Sequence, residues 1–284
     1  MFVSGQTVAP GAPGKDAQWA TAAKQGVGTS ATTQSKVWFT LAQGVMTEVY
    51  YPDVTVANVH LLQFIVVNPK TKKVETEQDD AFHQIRVTRP DSLTFQQINT
   101  AKSEEWKITK TYVTDPESDT VLIEVGFDAK RPDLNLYVYF DPSLGNSGMG
   151  DSASSVFYSD CGPCPAQILR ATDASSGIFT HLYFTSQMVE IHSGYLGDDA
   201  LNQLREHGKI VRPSNKAVGG NIVQVAKIAD PRKFTAFLSL GPRGRGAKPF
   251  NAFTPDFPTT ETAYEQGWAD YVKTLPRVDA KYQA

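Results

Sequence analysis

This sequence is poor in cysteine, has no long apolar run and carries no surplus of either charge. Two cysteines in 284 residues exclude a disulfide framework and a four-ligand zinc site of the cysteine type, and a chain of this length buries enough surface to fold without such staples. The longest apolar run is Leu136 to Phe140, far short of the roughly 18 residues that a spanning helix needs. Lys and Arg number 27 against 30 Asp and Glu, for a net charge of −3. No basic stripe stands out, so neither nucleic acid nor a membrane is an expected partner. With 40% hydrophobic and 20% charged residues, the chain is not of the disordered type.

The usual signatures of reactive chemistry are also thin. His60, His83, His181, His192 and His207 form no i, i+4 helical pair and no His-Glu-x-x-His motif, so each reads as structural or surface. No metal and no cofactor are expected. A loop calcium at Asp198-Asp199 has few supporting ligands. Leu144 to Gly150 is glycine-rich but lacks the Lys-Ser/Thr of a phosphate loop. Cys161-Gly162-Pro163-Cys164 has the spacing of a redox tetrapeptide, yet Pro165 follows at once and no βαβ unit surrounds it. A local disulfide between Cys161 and Cys164, or a free thiol pair, is the reading. Glu48, Asp53, Asp141, Asp151, Asp198 and Asp199 sit at strand ends or loops, and no two can be paired as glycosidase carboxylates from sequence. They read as caps and turn formers, with Asp115-Pro116 and Asp141-Pro142 as turns in particular.

What the sequence does have is strand pattern. Lys36 to Leu41 and Val45 to Tyr51 are β-branched and aromatic, split by Gln43-Gly44. His60 to Val67 is nearly continuous in apolar residues and closes at Asn68-Pro69. Trp106 to Val113, Thr120 to Phe127, Leu134 to Phe140, Gln167 to Ala171, Ile178 to Phe184, Gln187 to His192, Asn221 to Ile228 and Lys233 to Leu240 follow. Gly145 to Ser155 reads as a Gly/Ser-rich loop, and Pro242 to Gly246 as a flexible one. The clear helix follows Pro258, where Ala263, Tyr264, Gly267, Trp268, Tyr271, Val272 and Leu275 recur at helical spacing. Thr262 and Glu265 fit a capping box, and Pro276 stops the helix. Many short strands without helical crossovers predict an all-β fold, a large antiparallel sandwich with a C-terminal helix. Trp38, Tyr50, Tyr51 and Trp106 lie on strand patterns, where core packing is the default, although exposed aromatics could stack on sugar rings. Thr7-Val8-Ala9 would suit the end of an export signal, but the apolar region that should precede it is missing. The abrupt stop after the helix reads as a cut chain.

Several blocks together resemble a known family. Pro10 to Gly14 with Trp19, then Val37 to Pro52, Lys110 to Pro116, Leu136 to Pro142, Ser193 to Gly197, Gly220-Asn221, and finally Tyr264 with Gly267-Trp268 are similar, in order and spacing, to the N-terminal domain of bacterial glucoamylases and glucodextranases of glycoside hydrolase family 15. The Cys161 to Pro165 segment departs from that pattern as a local insertion. The resemblance implies a β-supersandwich of the galactose-mutarotase-like type over residues 1–258. Residues 259–284 are then the C-terminal helix and the start of a linker to an (α/α)6 catalytic barrel. In the family the barrel holds both catalytic glutamates, so none can be placed on this chain. The implied chain is secreted or periplasmic, inactive alone, and belongs to a glycoside hydrolase of the glucan 1,4-alpha-glucosidase type. Its partner is its own catalytic barrel, which it stabilises, and an α-glucan is kept open as a second. Glu48, Tyr50, Tyr51, Tyr264, Trp268 and Tyr271 are the candidates for an interdomain or cleft-bordering surface. The alternatives are a free-standing carbohydrate-binding module, which needs a row of exposed aromatics, and a mutarotase-like sugar epimerase. The latter needs an open His–carboxylate pair from among His60, His83, His181 and His192.

Overall fold

The computed structural model describes residues 7–157, 167–197, 200–242 and 256–276. An eight-stranded antiparallel sheet holds β1 (Gly26–Thr29), β2 (Trp38–Ala42), β3 (Val45–Tyr50), β4 (Val59–Asn68), β5 (Lys73–Thr76), β10 (Asn135–Pro142), β14 (Met188–Tyr195) and β16 (Ile222–Ile228). A nine-stranded antiparallel sheet holds β6 (Ala81–Val87), β7 (Phe95–Ala101), β8 (Trp106–Thr114), β9 (Thr120–Ala129), β11 (Asp151–Phe157), β12 (Gln167–Asp173), β13 (Ile178–Phe184), β15 (Lys216–Gly220) and β17 (Lys233–Pro242). The first runs β1-β2-β3-β4-β10-β16-β14, with β5 on β4; the second runs β15-β11-β12-β13-β17-β9-β8-β7-β6. The described residues also form three α-helices, α1 (Glu77–Asp80), α2 (Ala200–His207) and α3 (Phe257–Thr274), and a short 3-10 turn at Leu144–Asn146. This is the all-β supersandwich with a C-terminal helix that the strand pattern and the resemblance imply.

Side-chain alternation sorts each central strand between two layers. On β10, Leu136, Val138 and Phe140 enter the inter-sheet core, whereas Tyr137 and Tyr139 face a second cluster with Ala200 and Leu204 of α2. On β9 and β17, Val121, Ile123, Val125, Phe234, Ala236 and Leu238 face inward, while Leu122 and Phe237 meet Phe257 and Tyr264 of α3. A helix thus covers part of each outer face, so these strands are buried on both sides. That is why they read as nearly continuous apolar runs.

Some local expectations are corrected. Strand β11, Asp151–Phe157, takes in the second half of the stretch Gly145 to Ser155 read as a Gly/Ser-rich loop, and is paired to both β12 and β15. Its small side chains fit between two neighbours, with Ala153 in the inter-sheet core, and long-range pairing overrides weak strand propensity. Asp141-Pro142 is not a turn but the end of β10, at a register shift against β4. Asp115 does form the expected turn, accepting from the Glu117 N–H and the Ser118 hydroxyl. The Thr262–Glu265 capping box does not form. Asp256 caps α3 by accepting from the Thr259 N–H at 3.0 Å, while Thr262 donates back to the Pro258 carbonyl and Glu265 reaches Arg89 and Thr94.

The two sheets are joined through a fully buried ion pair. Lys110 on β8 lies 2.7 Å from Glu77, with both side chains at 0% exposure. Lys110 Nζ also donates to the Gly44 carbonyl at 2.9 Å. Glu77 accepts from the Phe64 N–H on β4 and from Asn99 Nδ2 on β7. Gly44, at φ 76° in the β2–β3 turn, has no room for a Cβ, because the His83 ring would lie 2.2 Å away. Lys110→Met should leave the Glu77 carboxylate buried without its counter-charge and cost about 3–5 kcal/mol, measured as a fall in the urea midpoint at pH 7.

Candidate functional site

The segment before β1 straps one end of the sandwich and brings polar groups onto the outer face of the eight-stranded sheet. The Lys15 N–H donates to the Leu196 carbonyl at 2.9 Å and the Asn221 N–H to the Pro13 carbonyl at 2.8 Å. The strap then turns to β3, where the Ala20 N–H donates to Glu48 Oε1 at 3.0 Å and Lys24 forms an ion pair with Glu48. Met46 and Val49 both enter the inter-sheet core, and the β2–β3 register slips alongside. That bulge leaves Thr47 and Glu48 together on the outside, where Lys24 Nζ also reaches Thr47 Oγ1 at 3.2 Å.

Trp38 and Tyr50 are direct cross-strand partners on β2 and β3. Their neighbours Val37, Phe39, Val49 and Tyr51 all belong to the inter-sheet core, so alternation turns Trp38 and Tyr50 outward, both half-buried. On the next strand, His60 Nδ1 lies 2.8 Å from Asp141 Oδ2, with the imidazole side chain 22% exposed and the carboxylate 2%. Burial alone would lower the His60 pKa, but the Asp141 hydrogen bond and the charges of Asp141 and Glu48 outweigh it and raise the pKa. The buried carboxylate fixes the ring's orientation and favours its cationic form.

The other histidines are placed differently. His83 contacts the Asn99 amide oxygen and the Gln78 carbonyl. His192 accepts from the Ser214 N–H. His181 packs against Phe179 with ring centroids 4.6 Å apart and planes tilted by 40°, and burial, reinforced by Arg170, lowers its pKa to about 3. Deeper in the same end of the sandwich, burial pushes Asp151 up to about 8, helped by Asp173 and Asp141 and opposed by the Leu144 N–H. No group of three or more His, Cys, Asp or Glu side chains fit to hold a metal occurs among the described residues.

Of the six residues proposed for an interdomain surface, Tyr51 lies in the inter-sheet core, and Tyr264, on α3, is buried against the nine-stranded sheet. Glu48 is buried and holds the strap. Tyr50 is half-buried on the outer face of the eight-stranded sheet. Trp268 donates its indole N–H to the Thr29 carbonyl at 2.9 Å, and Tyr271 is 48% exposed. Cys161, Cys164, Asp198 and Asp199 lie outside the described residues. Sequence patterns miss Lys24, and they assign Trp38 to the core and Asp141 to a turn. No local signal links positions so far apart in the chain.

A family model, glucodextranase domain N, matches residues 9–273. The chain belongs to the glucodextranase domain N family. Its relatives include the glucoamylase of Clostridium sp. (strain G0005), 29% identical over 278 residues, which is 95% of this domain N chain and 38% of the relative. The crystal structure of a bacterial glucoamylase complexed with acarbose superposes with a TM-score of 0.87 at 30% identity, over 95% of this chain and 40% of that one. A family GH92 α-mannosidase from Bacteroides thetaiotaomicron, 9% identical with a TM-score of 0.50 over 86% of this chain and 35% of that one, shows likeness of fold alone. This domain N chain therefore spans well under half the length of the glucoamylases it matches.

The two buried titrating groups predict a stability profile with a flat centre. His181 binds a proton only when unfolded between about pH 3 and 6.5, so it adds stability as pH rises through that window. Asp151 keeps its proton only when folded between its ordinary value of 3.8 and about 8, so it removes stability as pH rises through that window. The slopes oppose each other up to pH 6.5; above it Asp151 lowers stability, and His60, whose folded pKa is raised, does so as well. Asp151→Asn should make the decline between pH 6.5 and 8 shallower in thermal melts, with His60 supplying what remains, and an unchanged decline would refute this assignment.

Proposed function

We propose that this chain is the non-catalytic N-terminal domain of a secreted or periplasmic α-glucan hydrolase, where it packs on and stabilises the (α/α)6 catalytic barrel. Family membership supports the setting, and the surface of α3 carries the packing. Phe257, Thr260 and Tyr264 along its first half are buried, and the Tyr264 hydroxyl donates to the Leu93 carbonyl at 3.2 Å. Its last turn and C-cap behave differently, because Tyr271, Val272 and Leu275 are 48%, 42% and 47% exposed. Trp268 bridges the two halves, with its ring edge-on to Tyr271 at 5.6 Å. A helix anchored at one end and apolar on its surface at the other suits a packed neighbour, and large aromatic and aliphatic side chains are the usual anchors of an interface. Tyr271 and Trp268 are the members of the original candidate set that best suit this role.

The His60–Asp141 pair on an open sheet face favours a second reading, a mutarotase-like sugar epimerase. General acid–base work on a ring needs an acid and a base set against the substrate. Here Asp141 bonds directly to the imidazole, and Glu48 is held by Lys24 and the Ala20 N–H. Both carboxylates serve to hold neighbouring groups, so the first reading is preferred.

Two measurements test it. The 284-residue chain should release no glucose from maltooligosaccharides and should not speed the anomerisation of glucose in polarimetry; either activity would refute the non-catalytic assignment. Leu275→Ala should cost under about 0.5 kcal/mol in the chain alone, as a surface change does. In a longer protein that carries the barrel it should cost about 2 kcal/mol, as loss of a buried leucine does. Equal effects in the two would remove α3 from the interface.

A further inference from the structure

The cluster on the outer face of the eight-stranded sheet has a composition that the packing role of α3 does not use. Trp38 and Tyr50 stand side by side across β2 and β3 on a rigid backbone, both turned out of the core. Trp19, 41% exposed, sits on the strap one residue before the N–H that Glu48 holds. His60 is oriented by a carboxylate buried beneath it, and with Nδ1 committed to Asp141 its Nε2, which has no hydrogen-bond partner among the described residues, can bond a ligand. The charges cancel in pairs, Lys24 with Glu48 and His60 with Asp141. A surface with fixed aromatic faces, an oriented imidazole and balanced charge suits a neutral ligand with an apolar face and hydroxyls at its rim. An anion or a cation would find no uncompensated partner there. A purely apolar partner would strip water from two ion pairs.

We propose that this face binds the pyranose rings of an α-glucan, with Trp38 and Tyr50 as the stacking surface and His60 as a hydrogen-bonding group. The aromatic and imidazole geometry calls for a neutral sugar; the choice of an α-linked glucan rests on the family reading above. The test is separate from that of the α3 interface, so either can fail alone.

Titration of the 284-residue chain with maltoheptaose, followed by tryptophan fluorescence and by the His60 imidazole resonances, should show saturable binding with dissociation constants up to about 1 mM. Trp38→Ala and Tyr50→Ala should each weaken it about tenfold or more, and His60→Gln by a smaller factor. Trp38→Phe, which keeps a ring and so guards against misfolding of the alanine variant, should retain most of the affinity. High salt should leave the affinity unchanged. Absence of binding up to about 10 mM, or binding undiminished in both alanine variants, would overturn the site. Equal affinity for cellohexaose would overturn the choice of an α-linked chain. Protection of a lone Trp38 from acrylamide in the longer protein without sugar would overturn it too, by giving the face to another domain.

Discussion

The Lys110–Glu77 pair is the constraint around which both sheets are arranged. A lysine and a glutamate without solvent exposure are tolerable only when nearly every polar atom has a partner. Here the partners come from the β2–β3 turn, from β4, from β7 and from β8. Glu77 lies in α1, on the first of the connections by which the chain passes from the eight-stranded sheet to the nine-stranded one. The crossing point, the facing strands and the tight turn at Gly44 must therefore be correct together. The apolar layers supply the driving force for burial, while the ion pair selects one register among the many that two greasy sheets could adopt.

The outer faces inherit their character from that arrangement. Where α2 and α3 lie, the sheets are apolar on both sides. Over the outer parts of β2, β3 and β4, where none of the described helices lies, the surface is polar and aromatic and is organised by ion pairs. The strap supplies Lys24 to this region, and the bulges in β3 and at the end of β10 turn Glu48 and Asp141 toward it. Irregularities in the ladders thus make the most chemically varied surface of the molecule.

Much of the fold is legible in sequence for a simple reason. Strands such as β9, β10, β13 and β17 are covered on both sides and cannot be mistaken for loops. Strands whose stability comes from their neighbours are harder to see. β11 is built of serine and alanine, β6 is an edge strand with Phe82 exposed at 67%, and α2 has only eight residues. At α3, two residue patterns compete for the cap. Asp256 wins because Phe257 must reach the cluster with Tyr183 and Phe237, which starts the helix before Pro258. The surface cluster is legible only in part. The block from Val37 to Pro52 marks Glu48 and Tyr50, but Lys24, His60 and Asp141 join them through sheet order and bulges, which no local pattern encodes.

The strap has a consequence for the order in which this molecule can be made. Thr7 accepts from the Asn215 N–H, Pro13 from the Asn221 N–H and Lys15 from Asn221 Nδ2, 206 positions further on, so the strap binds residues that are synthesised long after it. Until β15 and β16 are synthesised, residues 7–15 lack these partners, and Glu48 awaits a lysine whose position is not yet fixed. Such ring-like closure across most of the domain delays its final assembly and makes the nascent domain dependent on what happens to the strap while it waits.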